Sequence, residues 1–493
     1  MADPLNNITT VKNVRIYSNL GSTEYPLQDL QIYREVNDLP VCTCTVSQGI
    51  NLATGSVSDF YTKIKSFMSS ARTVYVTIAA DIDSEKVILF YGIVTGSGFE
   101  TSAGVAQSGI ALKLVIGHPA IQLSSRIVAS FTYVYGTDII NHNLKKTDTV
   151  QARLKSLFDS SRTALNEILL KALQAVESQN DIVKAITTVL NSMQLTAAQE
   201  TESDDVPFVD STTLLKGSVK LRSIIDNKLY TRAVVHQLYS AVLAADLWTA
   251  VRNTIAGSDM LLTMVPDNLN YISIKPIMPW VSDAVDTIDT SEIISMSSML
   301  KKNLMWDDMD GIKVNWTGQN YYGDNSIAST DAVATYPSEG TLSSRYKLNM
   351  VTAPVWMNLA LQRDPEDTKN TDETKPPVNK KANLKSMLEL GNAYAKVLYA
   401  LYAKAGIGVT LRLPVTRHLM WENLGGVYKI NVNPPENTGF PEVAYYGCLE
   451  KTVLQGTFKP SGESSMHVIA TFSHVRDETS QTLFAIEENP LYI

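Results

Sequence analysis

Cysteine, excess positive charge and uninterrupted apolar runs are all scarce in this chain, and each scarcity excludes a class of protein. Three cysteines in 493 residues cannot build a disulfide framework. Cys42 and Cys44 lie two apart, so on a strand they share a face, while Cys448 is far away in sequence. No CxxC pair exists, so a thiolate zinc site lacks its usual ligands. The balance of 42 Lys+Arg against 50 Asp+Glu leaves a net charge of -8, which opposes a protein that coats duplex DNA. Sequence-specific nucleic-acid binding is therefore not expected, although a local basic surface stays open. The most apolar long stretch, 233–251, carries His236 and Asp246, with Arg232 just before it. A spanning helix wants about 20 residues with few or no charges, so this one reads as buried or amphipathic, without stable membrane insertion. Residues 1–10 have neither the basic start nor the apolar run of a secretory signal, so synthesis in a reducing cytosol is expected.

Catalytic signatures are equally scarce. The six histidines, His118, His142, His236, His418, His467 and His474, form no HExxH or HxxxH pair. On a strand His467 and His474 face opposite sides, which makes them poor joint ligands. There is no phosphate-binding GxxxxGK[ST] loop, no GxSxG elbow, and Gly96-Ser97-Gly98 does not open a helix in a βαβ unit. Asp307, Asp308 and Asp310 before Gly311 look like a calcium loop at first sight. Setting Gly311 on the invariant glycine puts Trp306 and Thr317 at the first and last ligand positions, and both fail. Asp81, Asp83 and Glu85 read as the tip of a hairpin. Trp280, Trp306, Trp316 and Trp356 lie among apolar neighbours and read as core. No catalytic, cofactor-binding or metal-binding residue is expected, and no cofactor.

What remains is an ordinary globular composition, 44% hydrophobic and 19% charged, long enough for two to four domains of about 100–200 residues. Short apolar runs with turn signals between them predict strands at 41–46, 74–79, 86–95 and 111–116. Phe60, Ile64 and Phe67 space a helix over 57–70. Residues 151–200 and 219–256 contain no Gly and no Pro. Leu154, Phe158, Leu165, Leu169, Ala172 and Val176 make one helical stripe there, and Asp181 could cap a second helix carrying Ile182, Ile186, Val189 and Met193. Strands return at 260–265, 271–276 and 312–316. The Ser/Thr/Gly/Asp-rich 323–345 and the segment 363–381, with ten charges and three prolines, read as exposed loops. A helix at 383–403 precedes strands at 408–413, 427–432, 443–454 and 466–475. A weak internal repeat accompanies them. Tyr91-Gly92 is followed by strand, loop, strand and His118; Tyr446-Gly447 is followed by the same elements and His474, at Gly-to-His separations of 26 and 27 residues.

The β-rich ends resemble the central baseplate hub of contractile injection machines, a family of phage tail hubs and the N-terminal part of type VI secretion VgrG spike proteins. The resemblance is carried by residues 31–46, by 86–100 with Phe90, Gly92, Val94 and Thr95, and by 111–126 with Pro119 and Leu123. A second match is the 383–403 helix, residues 410–430 and the 446–453 strand. It implies a β-rich α+β fold: two hub-type β-barrel domains with a large helical insert. The expected partition is a first barrel over 1–147, a helical insert over 148–256, strands of the second half over 257–322, exposed loops or an insertion over 323–382, and a helix with the second barrel over 383–493. It also implies a homotrimer whose six barrels adapt a sixfold tail tube protein above to a threefold spike protein below, with a channel for DNA or effectors. Wedge or tape-measure proteins of the baseplate are further implied partners, and a virion or extracellular particle is the implied location. Because the chain ends at Ile493 soon after the last strand, a separate spike polypeptide is expected. A tail-associated carbohydrate-binding or host-recognition β-protein, or a peptidoglycan hydrolase, is the alternative.

Overall fold

In the computed structural model the described residues are 11–47, 57–70, 72–101, 110–123, 215–216, 262–266, 272–276, 284–301, 311–319, 330–336, 350–353, 359–360, 406–433, 443–458 and 464–477. The first unit follows from period-two burial. Strand β1 (Val11–Ser18) turns Val14, Ile16 and Ser18 inward. Strand β2 (Gly21–Glu35) buries Tyr25 and Leu27, then a bulge between Leu27 and Asp29 shifts the inward set to Leu30, Ile32 and Arg34. Strand β3 (Val41–Ser47) buries Cys42, Cys44 and Val46. Helix α1 (Val57–Ser69) adds Phe60 and Ile64 to the same core, with Phe60 stacked on Tyr25 at 4.2 Å. Strands β4 (Tyr75–Ile82) and β5 (Glu85–Thr101) form a hairpin, and β6 (Ile110–Gly117) follows. The hairpin turns at Asp83 and Ser84, both at positive φ, the geometry that matches strand twist in a two-residue loop.

Antiparallel ladders run β1–β4, β4–β5, β5–β6, β6–β3, β3–β2 and β2–β1, so these six strands close on themselves. Each buried Leu, Ile or Phe inside contributes about 1.5–3 kcal/mol against its exposed state.

Three short strands sit beside this ring: β7 (Leu215–Lys216), β8 (Leu262–Pro266) and β9 (Ile272–Pro276), with β9 in the middle. Val265 enters the main core. Asn37, in the turn after β2, holds β8 in place: its backbone N–H donates to the Met264 carbonyl at 2.6 Å, and its side-chain oxygen accepts from the Met264 N–H at 2.8 Å. Its φ of 63° is a conformation that Asn tolerates better than most residues.

The second unit begins with β10 (Asp286–Ile288) and β11 (Ser295–Lys301), joined by a 3-10 turn at Thr290–Glu292. A separate small sheet follows, with β12 (Gly311–Gln319) flanked by β13 (Thr330–Tyr336), β14 (Met350–Ala353) and β15 (Leu359–Ala360). Then come β16 (Gly406–Pro414), β17 (Val427–Val432), β18 (Val443–Phe458) and β19 (Ser464–Asp477). Their ladders give the order β10-β17-β18-β19-β16-β11. Taken in chain order, this is the same neighbour sequence as β1-β4-β5-β6-β3-β2. The two units differ at the seam. β10 runs parallel to β17, and among the described residues no ladder joins β10 to β11.

Strand β13 falls inside 323–345, which reads by composition as an exposed loop, and β14 and β15 fall inside the loops or insertion expected over 323–382. The alternation in 330–336 (Thr, Asp, Ala, Val, Ala, Thr, Tyr) is β-forming, and the surrounding Ser/Gly richness hides it. The two-residue β7 lies within 148–256. Apart from it, the helical stripes expected there, the 383–403 helix and the charged segment 363–381 lie outside the described residues. Among the described residues no helix is long and apolar enough to cross a membrane.

Candidate functional site

The feature that organises this molecule is the joint between the two six-strand units. Strands β2 and β18 both outrun their own unit. Along one edge, β2 pairs with β1 near its start and then with β18 from Asp29 to Glu35. Along one edge, β18 pairs with β17 over Val443–Cys448 and then with β2 from Lys451 to Thr457. Seven antiparallel residue pairs therefore fuse both units into one continuous sheet. Within the joint, Lys451 pairs with Glu35 at 3.3 Å and lies over the Tyr33 ring.

Beneath the ladder, Arg34 is buried at 4% exposure on the same face as Leu30 and Ile32. Its guanidinium donates to the Leu89 carbonyl in β5 and stacks on Trp421, 4.4 Å from the ring centroid, in the 3-10 turn Met420–Asn423 of the second unit. It also lies over the Phe90 ring, 5.7 Å from the centroid. Burial pulls Arg34 down to about 9, which still leaves it charged at neutral pH. The cation thus pins a second-unit tryptophan to first-unit backbone. Just beyond β6, His118 is 1% exposed. Its Nδ1 accepts the Ala120 N–H at 3.1 Å, and its Nε2 is buried with no hydrogen-bond partner. Burial, and then the neighbouring Arg34 charge, push it down to about 3, so this imidazole is neutral.

A second polar cluster holds the seam between β10 and β11. Arg417 binds Glu292 through two nitrogens, at 3.0 and 2.6 Å, and also reaches the Asp286 carboxylate and the Thr287 carbonyl. Asn431 donates to Asp289 at 2.8 Å, and the Thr290 hydroxyl donates to the Asn431 carbonyl at 2.8 Å. Side chains thereby anchor an element that the ladder itself leaves open.

The remaining groups are dispersed. Cys42, Cys44 and Cys448 are free and buried; burial raises Cys42 well above its ordinary value and Cys448 to about 12. His418 bonds the Val415 carbonyl through Nδ1, and His467 faces Arg412 at 3.3 Å. Both are held below their usual range, first by burial. Asp81 accepts from Asn13 on the flank of the β4–β5 hairpin. Among the described residues no three His, Cys, Asp or Glu side chains could hold a metal ion. A shallow cavity of about 250 Å³ lies on the first ring, lined by Arg15, Tyr17, Glu24, Asp81 and Lys86. Its charges largely satisfy each other: Arg15 pairs with Glu24, and Lys86 lies over Tyr17. Arg34 and Arg417 were not singled out from the sequence. The parity of Leu30, Ile32 and Arg34 is a signal that could have found the first, because it puts a charge on an inward face.

No known protein family matches the sequence, and no curated protein matches it. Solved structures do. The 43 kDa tail protein of prophage MuSo2 from Shewanella oneidensis is 6% identical, with a TM-score of 0.40 over 94% of this chain and 98% of that one. The prophage tail protein gp18 from Listeria monocytogenes is 8% identical, with a TM-score of 0.39 over 97% of this chain and 100% of that one. An Escherichia coli component of the type VI secretion system, described as similar to the bacteriophage T4 tail proteins gp27 and gp5, is 7% identical, with a TM-score of 0.37 over 94% of this chain and 77% of that one. The protein is similar in structure to phage tail proteins and to components of the type VI secretion system.

Proposed function

We propose that this protein is the structural hub of a baseplate in a contractile tail or injection machine. Three copies form a ring of six barrels that adapts a sixfold tail tube to a threefold central spike and leaves a channel for DNA or effectors. The observation that carries this reading is the repeated strand order, β1-β4-β5-β6-β3-β2 and β10-β17-β18-β19-β16-β11, fused through β2 and β18. One chain with two equivalent units supplies six docking positions from three chains. The residue-level resemblance at 31–46, 86–100, 111–126, 383–403, 410–430 and 446–453 supports the same reading. The role is mechanical, with no reaction assigned to the chain. The helical insert expected over 148–256 belongs to this proposal as a contact for a wedge, an effector or a tape-measure end, or as a buttress of the trimer, and the charged segment 363–381 as a contact for a neighbouring baseplate protein or a solvated loop. The test is mass: light scattering of the purified protein should give three times 54.2 kDa. A monomer at every concentration up to those of crystallisation would contradict it.

A further inference from the structure

The internal joint shows how one unit receives the next, and each chain carries the two unused halves of a second such joint. Superposing the ladders, with Cys42 on Val409 and Leu112 on Val468, sets the equivalence of the strands. Leu30 pairs with Cys44, and Met296 pairs with Leu411, so β2 falls on β11. Gly98 pairs with Lys113, and Val453 pairs with Ile469, so β5 falls on β18. The segment Asp29–Glu35 that β2 gives to the joint then corresponds to β11 along its whole length, Ser295–Lys301. The segment of β18 in the joint corresponds to β5 from Gly96 onward.

Both corresponding edges are open among the described residues. β11 is paired with β16 on one side only. β5 pairs with β4 up to Ile93, a Val94 N–H bond to the Val74 carbonyl follows, and beyond that its second edge carries no ladder. Ser295, Ser297, Thr95, Ser97 and Gly98 are exposed along them. The partner switch occurs at matching places. β18 leaves β17 just past Gly447, where its register shifts, and β5 leaves β4 just past Gly92, ahead of the shift between Val94 and Gly96. An exposed strand edge is a template for another strand, and main-chain hydrogen bonds fix its register.

We infer that β11 of one copy adds antiparallel to the second half of β5 in the next copy of this same chain, repeating between chains the β2–β18 joint made within each. The register follows from the equivalences: Met296 opposite Thr101, Ser297 opposite Glu100, and Lys301 opposite Gly96. A second copy is the occupant because the donor and acceptor edges are the two halves of one existing joint. One of each per chain gives a head-to-tail contact, which closes into a ring when the turn per joint allows. This inference rests on the ring reading above and specifies its interface.

The test is cysteine cross-linking of the full chain, since the native thiols are buried. The S297C/E100C double variant, mildly oxidised, should lose its monomer band on a non-reducing gel and give a covalent trimer. The S297C/S97C variant, three residues out of register, should not. Mixing the two single variants, S297C and E100C, should stop at a covalent dimer. A trimer by light scattering that links in neither variant, or links equally in both, overturns this interface and leaves the ring reading standing. A monomeric mass throughout overturns the ring reading and this inference with it.

Discussion

Two buried bases at the joint set the residue-scale behaviour. His118 stays neutral in the fold, held at about 3, whereas an unfolded histidine takes up its proton near 6.5. Its contribution is therefore whole above pH 6.5 and is lost as pH falls from there towards 3, at about 1.4 kcal/mol per pH unit. His118→Asn keeps an acceptor for the Ala120 N–H, and urea titrations at stepped pH should show one proton less of acid sensitivity in that window. Arg34 behaves differently because its packing partners straddle two units. Arg34→Ala removes the cation from Trp421 and leaves the Leu89 carbonyl without its donor, at a cost of about 2–4 kcal/mol. Arg34→Met keeps the packing and should recover part of that loss in the same denaturation experiment, since burying an apolar chain costs less than burying an ion. Legibility in the sequence was uneven at this scale. The shared face of Cys42 and Cys44 follows from spacing alone, and both are buried on β3. Arg417 follows from nothing local, because its carboxylate partners lie more than a hundred residues upstream.

At the scale of elements, the two Tyr-Gly steps explain a repeat that spacing alone could only suggest. A Cβ on Gly92 would stand 2.5 Å from the Gly117 carbonyl oxygen and 2.8 Å from Ile116 and Phe90. A backbone carbonyl in a closed ring has nowhere to move, so Gly92→Ala should cost about 2–4 kcal/mol in thermal or urea unfolding. On Gly447 the same atom would meet the Val475 side chain at 2.8 Å and Phe472 at 3.1 Å. Side chains can yield, so Gly447→Ala should cost roughly half as much. The seam is a third test. Arg417→Ala should raise hydrogen exchange across 286–292 and leave β1–β6 unchanged; Arg417→Lys, which keeps the charge but not the fork, should fall between. The strands with strong alternation or apolar runs, β3–β6 and β16–β19, were legible. Among those missed, β10 and β11 are short or Ser-rich, while β1 and the first part of β2 lack a clean alternation; their pairing is decided by distant neighbours.

The molecule as a whole is organised by one joint. Within a chain the joint is β2 on β18; between chains it is β11 on β5 under the inference above. Under the proposed hub reading, the net charge of -8 suits a passage that does not hold phosphate, because a strongly basic lumen would trap it. What the sequence could not reveal is the fusion of the two units, since it depends on strands more than four hundred residues apart. The resemblance at the chain ends implies two barrels, and the ladders join two six-strand units through β2 and β18. The direct test is the image of the purified protein by electron microscopy. The account predicts class averages with threefold symmetry, six lobes and a central channel; compact single-chain particles, or dimers with twofold symmetry, would contradict it.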